Sequence, residues 1–337
     1  MLLDSAVVLK LDTSAVYHIQ MLGDSIFIKS QTIISGRYKR IDFVAQNDAA
    51  LLIRLVSPKG LPHIYFGSLS CSTFNHRMQL VNTLDIEKYV EGVIEMEAGQ
   101  RQPLEYYKVQ AIICRTYALS NMRKHESDNY NLCDNVHCQA YKGSNNLSKD
   151  ILQACKLTAN LVLVDINSEL VTTAFHSNCG GQTCNSEDVW GKPKSYLKSV
   201  QDTFCLRQRN ACWNKKISKS EWKDFLLQNS VQCSLDSSLI WVDFSQKERT
   251  SQLMVSSISL PLKSIRNDFK LKSTYFSIQS ESDSLLFIGR GYGHGVGLCQ
   301  EGAMRMAQLG IDCAGILHFY YQSIDIIDLN RLRFFKD

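Results

Sequence analysis

Tyr89–Leu119 reads YVEGVIEMEAGQRQPLEYYKVQAIICRTYAL, and the fold turns on how this stretch is divided. Val90, Val93 and Ile94 make an apolar approach that reads as the end of a strand. Ala98 and Gly99 relax the backbone into a sharp loop, and Pro103, whose missing N–H would be unbonded in a first helical turn, opens a long helix. From Leu104 onward, Tyr107, Ala111, Arg115, Ala118 and Met122 follow one helical face, while Tyr106, Val109, Ile113 and Tyr117 fill a second. A helix apolar on two faces is buried. Glu91, Glu95 and Glu97 fall in the loop before it. A carboxylate near a helix N-terminus and apolar neighbours can be held at the tuned pKa that acid–base chemistry near neutral pH needs, or can simply complement the helix dipole. Arg115 lies in the apolar run Ile112–Leu119, and a buried guanidinium must be paired. It is expected to contact Glu97 or Glu95, or a ring of carbonyls.

Around this centre the chain has 337 residues, enough for a sizeable core in one large domain or two smaller ones. Hydrophobic content of 45%, charged content of 21% and a net charge of +4 are ordinary for a globular protein. The charge leaves no nucleic-acid footprint, although it suits an anionic wall or membrane surface. No run of about 18 apolar residues exists, so no transmembrane segment is expected. The first residues, MLLDSAVVLKLDTSAVYHIQ, alternate like a strand and show no export signal.

Residues 1–85 read as mostly β: VVLKL, VYHIQ, SIFIK, YKRIDFVA and LLIRLV are short β-branched or aromatic runs between Asp, Gly and Asn turns. Downstream of the helix, NYNLCDNVHCQAYKG (129–143) offers Cys133, His137 and Cys138, with His125 upstream. These are four zinc-type ligands at a spacing that matches no standard finger; a Cys133–Cys138 disulfide and plain loop thiols are the other readings. A metal here is expected to be structural. Cys71, Cys114 and Cys155 lie in apolar stretches as buried thiols. Ser148 can cap a helix ending near Asn160, and LVLVD with ELVTTAF reads as a hairpin. It leads to FHSNCGGQT (175–183), where Gly180 and Gly181 suit either a tight turn or close backbone approach to a ligand. From about 205 to 262 the chain reads as an insert, with a possible Cys205–Cys212 pair, a Ser218/Glu221 capping box and packing through Trp213 and Trp222. GRGYGHGVGLCQEGAMRMAQLG (289–310) alternates glycine through His294 but fits no G-x-G-x-x-G frame, so nucleotide binding is unsupported.

The four blocks YVEGVIEMEAGQRQP, FHSNCGGQT, WGKPKSYLKSVQD (190–202) and GRGYGHGVGLCQEGAMRMAQLG resemble, in order, the stage II sporulation protein D family (the SpoIID/LytB domain). With HIYFGSL at 63–69 the resemblance spans about residues 63–327. It implies an α+β fold: a β-rich N-terminal extension over 1–60, then a mixed α/β domain over 61–330 with a glycan-binding cleft and the insert. It implies a lytic transglycosylase that cuts the bond between N-acetylmuramic acid and N-acetylglucosamine in peptidoglycan, forming a 1,6-anhydro ring. Alignment on Tyr89, Gly92, Val93 and Pro103 puts the family's catalytic glutamate on Glu97, although Ala98-Gly99 stands where the family usually has Met-Pro. Val93, Met96 and Ala98 are expected to desolvate it. Ser177, Gly180, Gly181, Lys198, His294 and Gln300 are expected to border the cleft, Arg115 is grouped with them as substrate-binding, and Asp202 stands at an uncertain spacing. No cofactor is required for this chemistry; the metal at His125, Cys133, His137 and Cys138 is structural in this reading. The expected partners are glycan strands and a cell-wall amidase, with no nucleic acid, and the expected location is the cell envelope or periplasm. The rival readings are a non-catalytic amidase enhancer of the LytB branch, and a zinc hydrolase, which lacks an H-E-x-x-H or similar base-bearing motif.

Overall fold

Short β-branched runs separated by turn residues give, among the described residues, eight strands before the first helix: β1 (His18–Leu22), β2 (Ser25–Lys29), β3 (Ile34–Tyr38), β4 (Arg40–Val44), β5 (Ala50–Arg54), β6 (Pro62–Phe66), β7 (Ser68–Phe74) and β8 (Arg77–Thr83). Three helices follow, α1 (Ile86–Glu97), α2 (Leu104–Ser120) and α3 (Lys149–Leu157), and then β9 (Leu161–Val164), β10 (Phe175–His176) and α4 (Ser186–Trp190). The chain continues through β11 (Cys212–Ser218), α5 (Lys219–Gln228), β12 (Gln252–Val255), β13 (Ile258–Pro261), α6 (Leu262–Asp268), β14 (Phe276–Ser280) and β15 (Ser284–Arg290). It closes with β16 (Leu298–Cys299), α7 (Gln300–Gln308), α8 (Cys313–Tyr320) and β17 (Asp325–Asp328). This computed structural model describes residues 12, 15–30, 34–44, 50–54, 59–145, 147–229, 231 and 243–331. The expected strand VVLKL lies outside them. The fold is α+β with a β-rich N-terminal region, as expected.

Two compact units divide the chain: Met1–Gln100 with Asn121–Cys155, and Arg101–Ser120 with Lys156–Asp337. This differs from a boundary near residue 60, because β2 packs against β7 and β1 against β8. The first unit holds antiparallel sheets β1-β2-β3 and β4-β7-β8 and the pair β5-β6. Asn75 and His76, both at positive φ (48° and 57°), make the two-residue turn that fixes the β7–β8 register. Ile26, Ile28, Leu69 and Cys71 point inward.

The main correction to the sequence reading lies in α1. Residues 86–97 are helical, not a strand end and loop. Asp85 caps the helix, its carboxylate accepting from Glu87 N at 2.8 Å, and Ile86, Val90, Val93 and Ile94 recur at helical spacing. From Tyr89 onward the segment lacks both the cap and the first apolar residue, and its Val90, Val93 and Ile94 carry β propensity. Gly99, at φ 73°, stops the helix just beyond Ala98.

In the second unit α2 is buried almost all round, from Tyr106 to Ala118, and packs against β9, α7 and α8. Met122 lies beyond its end and is exposed. The sheet β11-β15-β14 carries a core in which Trp213, Ile217, Trp222 and Phe225 meet Leu253, Phe276 and Phe287. The described part of the 205–262 stretch is therefore built into this unit: β11 pairs with β15 along its full length. The Ser218/Glu221 capping box on α5 is present. β9 pairs with β17, so the hairpin expected after Val164 shrinks to a turn with one bridge to Leu170.

Candidate active site and cysteine loop

Glu97 is the last residue of α1, at the end where the carbonyl dipole disfavours a negative charge. One carboxylate oxygen accepts from Ala140 N at 2.8 Å. Burial pushes the Glu97 carboxyl above the usual glutamate range, with the Ala140 hydrogen bond pulling the other way. Val93 and Ala98 are buried, as the desolvation argument requires, but Met96 is 45% exposed and contributes little. The other two acids are engaged differently. Glu91 is buried and ion-paired with Lys88 one turn earlier, at 3.1 Å. Glu95 accepts from Asn145 N at 2.9 Å. Because the segment is a helix, Glu95 and Glu97 leave its axis about 200° apart rather than on one strand face.

Residues 139–145 lie along α1. Gly92 makes this possible: a Cβ there would meet Gly143 O at 2.6 Å and the Tyr141 ring at 2.7 Å. Tyr89 packs against Tyr141 with the rings tilted by 38° (5.1 Å between centroids), and its hydroxyl donates to Gln139 Oε1. Just upstream, the donor atoms of His125, Cys133, His137 and Cys138 all lie within 4.8 Å of one another. Cys138 Sγ is 3.5 Å from His125 Nε2, and Cys133 Sγ is 3.6 Å from His137 Nδ1. His125 turns its other ring nitrogen to Asp128 Oδ2 at 3.1 Å, the outer-sphere arrangement typical of a metal-ligating histidine. Both cysteines are free thiols, so the disulfide reading is not what the fold contains. Four convergent nitrogen and sulfur donors are a ligand set that suits a structural zinc.

Arg115 is fully buried on α2, and its Nη1 donates to Ala111 O at 3.3 Å and Leu161 O at 2.9 Å. Two carbonyls of the expected ring are thus in place, and they tie α2 to β9. Elsewhere in this unit the fold brings together Ser177, Gly180, Gly181, His294 and Gln300. β10 and β16 pair in parallel, His176 opposite Cys299, and Asn178 exchanges both backbone hydrogen bonds with Tyr292. Gly180 permits that approach: a Cβ there would lie 2.7 Å from the Arg290 carbonyl carbon. Its glycine is accounted for by the neighbouring backbone, and Gly181 is the more open of the two. His294 accepts from Val296 N through Nδ1 at 3.0 Å, which places the ring proton on Nε2. Burial, against a hydrogen bond to the Phe175 backbone, pushes its pKa down to about 4, so the ring is neutral at pH 7. Lys198 is ion-paired with Glu187 of α4 at 2.6 Å.

His294 also lines a pocket of about 140 Å³ with Trp190, Arg249, Lys263 and Arg266. Arg249 and Arg266 escaped the sequence reading, because one sits in the supposed insert and the other on a short helix with no motif around either. Asp202 is fully buried and accepts from Tyr320 OH at 2.9 Å. Cys205 and Cys212 do not pair: Cys205 is buried and Cys212 exposed, and both are free.

Residues 74–164 match the family described as stage II sporulation protein. An uncharacterized protein of Brachyspira hyodysenteriae is 31% identical over 272 residues, covering 80% of this chain and 73% of that protein. The chain belongs to the stage II sporulation protein D family. Stage II sporulation protein D of Bacillus subtilis is 28% identical over 286 residues, covering 80% of this chain and 82% of the relative. The amidase enhancer of the same organism is 26% identical over 288 residues, covering 69% of this chain but 39% of the enhancer. The stretch matching the stage II sporulation protein family contains Glu97, Arg115 and the four donors of the cysteine loop, whereas the 175–182 and 289–301 segments lie beyond it. No helix among the described residues is long and apolar enough to cross a membrane.

Proposed function

We propose that the protein acts on the cell wall as a peptidoglycan lytic transglycosylase in the cell envelope, with Glu97 as its single acid–base. The observation that carries the reading is the Glu97 carboxyl itself. It is desolvated at the C-terminal end of a helix and its pKa is raised, and the family resemblance read from the sequence supports taking it as the catalytic glutamate. Protonated Glu97 gives its proton to the oxygen bridging N-acetylmuramic acid and N-acetylglucosamine as the C1–O bond breaks. The resulting carboxylate takes the proton from the muramic C6 hydroxyl while that oxygen closes on C1. Protons and electron pairs balance without water, so the second carboxylate of the usual glycosidase scheme is not needed. Ser177, Gly181, His294 and Gln300, all in the second unit, are candidate sugar contacts on the family resemblance, and neutral His294 would serve there as a hydrogen-bonding partner rather than a cation. Arg115 acts from the interior by fixing α2. Zinc at His125, Cys133, His137 and Cys138 would hold the cysteine loop in shape and takes no part in proton transfer.

The likeness to the amidase enhancer supports a second reading, in which the protein binds glycan strands and stimulates a cell-wall amidase without cutting. Mass spectrometry of products from purified glycan strands separates the two. Anhydro-muramyl ends are expected. Reducing muramyl ends would mean hydrolysis, and intact strands that nevertheless bind the protein would move the enhancer reading ahead.

A further inference from the structure

The second unit contains a set of metal donors that no motif announces. Cys179 comes from the 175–182 loop, Asp202 and Cys205 from the turn beyond Lys198, and Cys299 from the end of β16. Their ligand atoms all lie within 4.8 Å of one another, and all four residues are 0% exposed. Cys179 Sγ is 3.4 Å from Cys205 Sγ and 3.2 Å from the Asp202 carboxylate. A tetrahedral zinc with Zn–S of about 2.3 Å and Zn–O of about 2.0 Å needs edges of roughly 3.5–3.8 Å, so the side chains are already near ligating positions.

Three features go beyond proximity. No basic side chain among the described residues pairs with Asp202, and a buried carboxyl without a cation is costly. Its oxygens are steered by neutral donors, Phe204 N and Tyr320 OH, each at 2.9 Å, which orient a carboxylate without cancelling its charge. The Cys299 sulfur accepts from two backbone amides, Cys179 N at 3.3 Å and Gly302 N at 3.4 Å, the second at the start of α7. A neutral thiol is a weak acceptor; a thiolate at a helix N-terminus, or one bound to a metal, is a good one. Gly302 also keeps the space open, since a Cβ there would lie 2.3 Å from Asp202 Oδ2 and 2.2 Å from Tyr320 OH.

We propose that Cys179, Asp202, Cys205 and Cys299 form a second, closed zinc site that staples the 175–182 loop to the β16–α7 junction. Three sulfurs and one oxygen favour a thiophilic divalent ion over magnesium or calcium. Binding releases the thiol protons to solvent and supplies the positive charge that the buried set lacks. The staple holds Ser177, Gly181 and Gln300 in one arrangement whatever reaction the protein performs. A Cys179–Cys205 disulfide is the competing use of the same atoms, and it would leave Cys299 and Asp202 without a role.

Crystals of the full-length chain, purified with zinc and reductant and measured on both sides of the zinc absorption edge, test this directly. An anomalous peak among the four side chains is expected; none there, or continuous density between Cys179 and Cys205 sulfurs, overturns the proposal. In solution, the variant H125A/C138S lacks the first donor set and should still retain about one zinc per chain, with a scattering shell of three sulfurs near 2.3 Å and one oxygen near 2.0 Å. Adding Cys205→Ser should abolish that retention. Zinc retained unchanged in the triple variant would count against the site, and the absorption spectrum of H125A/C138S decides the matter even if the triple variant does not fold.

Discussion

α1 and α2 follow one another in the chain and are used in opposite ways. α1 hides one face, keeps a partly open side, and carries Glu91, Glu95 and Glu97 within seven residues. α2 is buried on nearly every side, and its one internal cation, Arg115, is bonded to main-chain carbonyls. A helix that must offer a tunable carboxyl has to stop where burial and water meet. A helix that supports a core has to satisfy its own polar groups inside. The difference predicts that substitutions in α1 act first on rate, and those in α2 on stability.

The largest effect is expected at the end of α1. Glu97→Gln keeps size and hydrogen bonding but cannot exchange a proton, so cleavage should fall by about 10²–10⁴-fold while glycan binding persists. Glu95→Gln, on the other side of the helix and still able to accept from Asn145 N, should keep most activity. A dead Glu95 variant beside an active Glu97 variant would reverse the assignment. The pH profile sharpens the same point. Burial raises the Glu97 pKa, so the protonated form persists to higher pH than in an exposed glutamate. Cleavage by the wild type should decline as pH climbs through that displaced pKa, and residual cleavage by Glu97→Gln should not show that limb.

Next comes α2. Arg115→Ala leaves the Ala111 and Leu161 carbonyls short of a donor and opens a cavity, for a loss of about 3 kcal/mol in denaturant unfolding. An unchanged midpoint would mean that the guanidinium is solvated and the contrast between the helices is false. Gly92→Ala probes the packed side of α1: its methyl would press on Gly143 O and Tyr141, outweighing the gain in helix propensity. A net loss of roughly 1–2 kcal/mol is expected, together with reduced cleavage, because Ala140 lies on the displaced segment. The smallest effect is Asp85→Ala, at about 1 kcal/mol for loss of the N-cap. Were residues 86–97 a strand and loop, that substitution would be nearly silent.

Legibility in the sequence tracked the distance over which partners must be found. The helical periodicity of α2, the caps at Ser148 and Ser218, and the strand-rich start are local signals, and each has its counterpart in the fold. His125, Cys133, His137 and Cys138 were visible as a group because one loop holds them all. α1 is legible only with the four residues that precede Tyr89: without Asp85 and Ile86, Val90, Val93 and Ile94 carry β propensity and no period. The Cys179, Asp202, Cys205 and Cys299 set was out of reach, because its members are joined only by the β10–β16 pairing and by a buried turn. Arg249 and Arg266 illustrate the same limit at the His294 pocket.

The pairing of β9 with β17 has a consequence for how the molecule is made. α2 rests on β9, yet β9 finds its partner only in residues 325–328, far downstream in the chain. During synthesis from the N-terminus, Val162, Val164 and the α2 side chains that pack on them stay uncovered until residues 325–328 have emerged. The first unit has its strands and α1 in hand much earlier. Ribosome-bound chains halted before Asp325 should therefore protect the early strands from protease while leaving α2 open to cleavage, an order of assembly set by topology rather than by local helix strength.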